Sequence, residues 1–171
     1  MARSIGHFIV IRRKHRAEGV VATVRQCSRL FKRALDAGDR KAMQEHSTEA
    51  WDALNKLFEI LRNEQDHNNL AASFMTKLAG KIADQVSSQE QESMIASAKL
   101  DTKHPSYRDL TLRDALNKIA HFDTATANYR VDGRGAHYLV LAGKYLNKFW
   151  VAEILISRLC ALSEDAVAGI T

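Results

Sequence analysis

Residues 145–167 read YLNKFWVAEILISRLCALSEDAV, and the way this run folds decides the architecture around it. At about 100° per residue, Leu146, Phe149, Trp150, Ile154, Ile156, Leu159 and Leu162 cover more than half of a helix circumference. The pattern predicts a long final helix from Tyr145 to Val167, packed on several sides at the centre of the fold or against a second subunit. Within it, Phe149 to Leu162 is interrupted by Glu153 and Arg158 and falls short of the roughly 20 apolar residues that span a bilayer. It reads as core.

Immediately upstream the periodicity changes. Asn128 to Val131, the reversal Asp132-Gly133-Arg134-Gly135, and Ala136 to Leu141 predict a small β-hairpin or an ordered loop. Before it, Leu112, Ala115, Leu116 and Ile119 form the apolar side of a helix that runs to about His121, with Thr111 as N-cap and Asp114 three residues on. Pro105 marks a loop ahead of that helix. Gln89 to Leu100 predicts a weaker helix, and Leu70, Phe74, Leu78, Ile82 and Val86, spaced by four, predict a stronger one. Met43, Ala50, Leu54, Leu57 and Leu61, with Trp51 and Phe58 beside them, form a long amphipathic helix that starts after the break at Gly38-Asp39. Val20, Val24, Cys27, Phe31 and Leu35 line the helix before that break. The sum is a mainly α fold: an up-down bundle of about five helices, in one domain over 1–171, with 1–18 as a loosely packed basic segment.

The charge is uneven. Of 25 Lys/Arg and 20 Asp/Glu, residues 1–41 hold 11 against 3, which leaves 14 against 17 for the remainder. Arg25, Arg29, Lys32 and Arg33 form a cationic stripe on the same helix as the Val20 to Leu35 apolar face. Clustered cations gain from neutralising phosphates and releasing counterions, so the stripe predicts contact with a nucleic acid; an equally basic face can be merely solvated. Cys27 and Cys160 lack a partner at ligand spacing and predict buried free thiols, with no metal or cofactor called for. The apolar start Ile5 to Ile11 is too short for a secretory signal, and the expected location is cytoplasmic.

One constellation carries chemistry. Arg113, Asn117 and His121 fall in one narrow stripe of their helix, opposite the Leu112/Leu116/Ile119 side. A guanidinium can grip a phosphodiester, an amide can orient a hydroxyl, and an imidazole can move protons near neutral pH. The same residues also suit a wet outer face, with Asp114 as a cap and His121 closing the helix on its C-terminal carbonyls.

An all-helical chain with a late Arg113-Asp114 to His121 helix and an apolar last helix resembles the HEPN superfamily of prokaryotic toxins, phage-defence proteins and RNA-processing nucleases. Seven residues separate Arg113 from His121, one more than the family's usual spacing. The resemblance implies a metal-independent endoribonuclease acting as a homodimer; it also allows an inhibitory protein as a further partner, and the short apolar run above leaves no membrane expected. In such a nuclease Arg113 binds the scissile phosphate and His121 serves as general acid or base for attack by the ribose 2′-hydroxyl. Asp114 orients either of them, and Asn117 positions the RNA. The alternative is a non-catalytic helical module that binds nucleic acid or a partner protein.

Overall fold

The computed structural model describes the backbone of residues 2–170 and, in the first helix, side chains from residue 11 onward; most of the apolar start Ile5 to Ile11 lies outside the described residues. The order of elements is α1 (Ala2–Asp36), α2 (Arg40–Asp66), α3 (Ser73–Thr76), β1 (Leu78–Val86), α4 (Ser88–Ser97), β2 (Tyr107–Thr111), α5 (Leu112–His121), β3 (Asn128–Val131), β4 (His137–Tyr145), β5 (Lys148–Leu155) and α6 (Ile156–Val167). The chain divides into two compact units, residues 1–75 with 160–171 and residues 76–159.

The first unit is a helical hairpin with the end of α6. Ala17, Val21, Val24, Cys27, Phe31 and Ala34 are buried at spacings of three and four along α1, as are Ala53, Leu54, Leu57 and Leu61 on α2. The reversal between the helices is written locally. Gly38 adopts a φ of +69°, and the Asp39 N–H donates to the Ala34 carbonyl at 2.9 Å while the Gly38 N–H donates to Leu35, the Schellman arrangement that ends a helix. Asp39 then caps α2, its carboxylate accepting from the Ala42 N–H at 3.0 Å. Residues 11–18, expected as a loose basic segment, are continuous helix within α1, and Ala17 is fully buried.

The second unit overturns the expected bundle. It is built on an antiparallel five-stranded sheet in the order β2-β1-β5-β4-β3, so the fold is α+β and not mainly α. The expected hairpin is present, but as the β3–β4 edge of that sheet. Two predicted helices are replaced by strands. Leu78, Ile82 and Val86 belong to β1, because a spacing of four satisfies both a helical turn and two strand repeats. The run from Tyr145 divides into the end of β4, the central strand β5, and α6, which begins only at Ile156. Between β4 and β5, Leu146 and Asn147 both have positive φ, 46° and 62°, the turn that matches strand twist, without the glycine that usually announces it.

The β5 run looked helical because both sheet faces are covered. Strands buried on two sides read as continuous apolar runs and not as alternation. Val151, Val140, Ala142 and Ala83 share one face with Met94, Ala98 and Leu100 of the α4 segment. Directly opposed residues of an antiparallel sheet share a face, so Ile82, Ala152 and Leu141, each one position off that set, point to the other side. There α5 packs, as the Lys118 ammonium shows by sitting 4.1 Å from the centre of the Trp150 ring.

Candidate nucleic-acid interface

The basic surface of α1 is longer than the predicted stripe. Along the exposed side of α1 stand Arg12, His15 and Arg16, with Arg16 at its edge toward α2, then Gln26, and finally Arg29 and Arg33. From Arg12 to Arg33 this line extends about 30 Å at 1.5 Å per residue. Arg12, Arg16 and Arg33 have no hydrogen-bond or ion-pair partner among the described residues. Arg29 donates only to the neutral Gln26 side chain, at 2.8 Å. Glu18 is the one acidic residue of α1 before Asp36, and its position turns it to the flank of the line.

Two of the four residues expected at this interface are engaged inside the protein. Arg25 makes a two-pronged bond to the Glu164 carboxylate, at 3.1 Å from Nε and 2.7 Å from Nη2, and the bond to Glu164 raises its pKa above the ordinary value. Such a fork ties α1 to the end of α6 within one unit. Lys32 also has an intramolecular partner. Arg29 and Arg33 remain outward, and Arg12 and Arg16 join them. The signal for the latter pair was their i, i+4 spacing on the side away from Ala17, visible only once the helix extends through residues 11–18.

Arg13 departs from this pattern. Its guanidinium lies 3.9 Å from the nearly buried Glu64 carboxylate, which also accepts from Asn69 at 2.8 Å. Arg13, Arg16, Glu59, Ile60, Asn63 and Glu64 line a shallow hollow between the two helices.

The predicted catalytic stripe lies on α5, a regular helix. Thr111 caps it by accepting from the Asp114 N–H at 3.2 Å, and Leu112, Ala115, Leu116 and Ile119 are buried, as the sequence implied. Arg113 and Asn117 are partly buried and His121 is exposed. The Arg113 Nε is itself buried and unbonded among the described residues, whereas His121 has an intramolecular interaction. Arg113 and His121 stand just over two turns apart, about 12 Å along the axis. Helical side chains share one lean toward the N-terminus, so this axial separation is kept between the two groups. A single copy of α5 therefore does not converge both groups on one phosphate.

Asp114, also expected at the site, is partly buried and acts on Lys118, which is half-buried; burial lowers the Lys118 pKa and Arg108 lowers it further, against Asp84 and Asp114. The partner ring of Lys118 lies flat on Gly143, where an added Cβ would come within 2.5 Å of Trp150. This stack is packing. Burial likewise pushes the Cys27 and Cys160 thiols up to about 11, so both are protonated at neutral pH, as expected of buried free cysteines.

Among the described residues, no group of His, Cys, Asp or Glu is placed to hold a metal, and no helix is long and apolar enough to cross a membrane. No protein-family model, curated protein or solved structure matches the chain.

Proposed function

We propose that this chain is a nucleic-acid-binding protein that uses the outer line of α1 to track a phosphate backbone, with RNA as its ligand. The observation that carries the reading is the run of outward arginines, Arg12, Arg16, Arg29 and Arg33, spread over about 30 Å without a carboxylate partner among the described residues. Each is free to exchange its counterions for a phosphate. A rigid helix holds these charges in one line, so little order is lost on binding. Contacts of this kind read charge and spacing, not bases.

The test is fluorescence anisotropy with a labelled RNA hairpin between 50 and 200 mM salt, comparing wild type with an Arg12→Gln/Arg16→Gln/Arg33→Gln variant of unchanged circular dichroism. The wild-type affinity should fall steeply as salt rises. Loss of three phosphate contacts should weaken binding at least tenfold at low salt and flatten the slope by about 2 to 3. Salt-indifferent binding, or a triple variant that binds like wild type, overturns the proposal.

A second reading, phosphodiester cleavage at α5, is favoured by one observation, the buried Arg113 Nε that no protein acceptor meets among the described residues. With Arg113 and His121 about 12 Å apart along one helix, it requires two copies of the chain to complete the site. RNA incubated in EDTA with wild type, Arg113→Ala and His121→Ala protein decides it: turnover lost in both variants supports cleavage, and equal turnover in all three assigns it to a contaminant.

A further inference from the structure

Helix α4 covers only part of its sheet face, and the uncovered part is polar in an organised way. In register across the strands, Asp109 of β2 stands beside Lys81 of β1, Lys81 beside Glu153 of β5, and Glu153 beside Val140 of β4. Tyr138 faces Leu155 one step along the strands, and Arg130 of β3 faces Tyr138. Opposed residues share a face, and Glu153 and Lys81 lie two positions from Val151 and Ala83, so all of these stand on the α4 side. Of these, Lys81, Asp109, Glu153, Tyr138 and Leu155 join Tyr107 and Arg158 around an open cleft of about 340 Å³ within the sheet unit, with Arg130 behind Glu153.

The charges in this cleft are paired, with one exception. Lys81 is bonded to Asp109. Arg130 donates to Glu153 at 2.8 Å and to the Ala98 carbonyl at 3.2 Å, and its guanidinium lies 4.1 Å from the Tyr138 ring. Arg158 has no carboxylate partner among the described residues. Its Nε donates to the Leu78 carbonyl at 3.1 Å, which fixes the plane of the guanidinium and leaves both terminal nitrogens unbonded among the described residues. The hydroxyls of Tyr107 and Tyr138 are also without a hydrogen-bond partner among the described residues.

We propose that this cleft binds a small oxyanion-bearing molecule, a phosphomonoester or a carboxylate, whose anionic group is gripped by Arg158 and whose polar body lies against Lys81, Glu153 and the tyrosine hydroxyls. A guanidinium held at Nε by backbone presents its two remaining nitrogens as a fork, the geometry that suits a carboxylate or phosphate edge. The volume lies within the range of small-ligand pockets. A nucleic-acid strand is disfavoured here, since Asp109 and Glu153 at the centre repel a continuous phosphate backbone. The cleft and the α1 line thus take different anions, and failure at one leaves the other standing.

The experiment is titration of isotopically labelled full-length protein with phenyl phosphate and, separately, benzoate, followed by amide chemical shifts. Saturable shifts at Gly80, Lys81, Glu153, Leu155 and Arg158 are expected with at least one probe, and the tighter probe identifies the anion. Arg158→Gln should weaken that binding at least tenfold. Tyr138→Phe, which removes only a hydroxyl, should weaken it severalfold without altering the remaining spectrum. Shifts confined to α1, unsaturable shifts, or an Arg158→Gln variant that binds like wild type overturn the proposal.

Discussion

The sheet and the outer line of α1 carry their cations in opposite ways. In the sheet unit, Lys81 meets Asp109 and Arg108 meets Asp84 at 2.7 Å on the adjacent strand, and Arg130 of β3 reaches past β4 to Glu153 of β5 at 2.8 Å. On the outer line of α1, Arg12, Arg16 and Arg33 meet no partner among the described residues. The difference follows from geometry. A strand within a sheet has a neighbour at about 5 Å to supply a counter-charge, whereas the solvent side of a helix can draw one only from three or four residues away, as Arg62 does from Asp66 on α2. Matched cations hold register, and unmatched cations are open to external anions. Two residues depart from this contrast and so locate its consequences: Arg25 of α1 is committed to Glu164, and Arg158, in the first turn of α6 beside the sheet, meets no carboxylate among the described residues.

The comparison can be broken most forcefully at Trp150. Matching across strands presupposes the β4–β5 register, and the Trp150 ring lies on Gly143, its opposed residue, under Lys118. Trp150→Ala should cost about 3–5 kcal/mol in urea unfolding. A cost below about 1 kcal/mol would show that the register is held elsewhere.

A smaller effect sharpens the contrast between matched and unmatched charge. Arg130→Ala leaves Glu153, whose side chain is only 18% exposed, without its cation, and should cost about 1–3 kcal/mol. Arg33→Ala should change stability by no more than about 0.5 kcal/mol while weakening RNA binding. Equal stability losses for the two would erase the distinction drawn here.

A separate effect concerns alkaline pH. Burial raises both thiols from the usual value near 9 to about 11. A group whose folded pKa is raised contributes stability that is complete below its unfolded pKa and is lost as pH rises through the folded one. Unfolding free energy should therefore decline between about pH 9 and 11, and a Cys27→Ala/Cys160→Ala variant should decline less steeply over the same window. Parallel slopes would mean that the thiols reach solvent in the folded state.

Sequence periodicity was sufficient where the partners of a segment are its own near neighbours. The α1–α2 hairpin, its Gly38-Asp39 reversal, the Thr111 cap, the buried side of α5 and the β3–β4 hairpin are each set by residues within a few positions of one another. The candidate interface was half legible for the same reason: Arg29 and Arg33 face outward as their spacing required, while the commitment of Arg25 depends on Glu164, 139 positions away.

What the amino-acid order alone determined is therefore local: where helices start and stop, which stripe of each is apolar, and that the first 41 residues carry the basic surplus. Only the tertiary structure decided that Leu78–Val86 and Lys148–Leu155 are strands, because an apolar run covered on both faces looks the same to either periodicity. It alone brought Lys81, Asp109, Glu153 and Arg158 around one cleft. Pairing between strands is a long-range choice, fixed by which surfaces can bury one another and not by any residue's immediate neighbours.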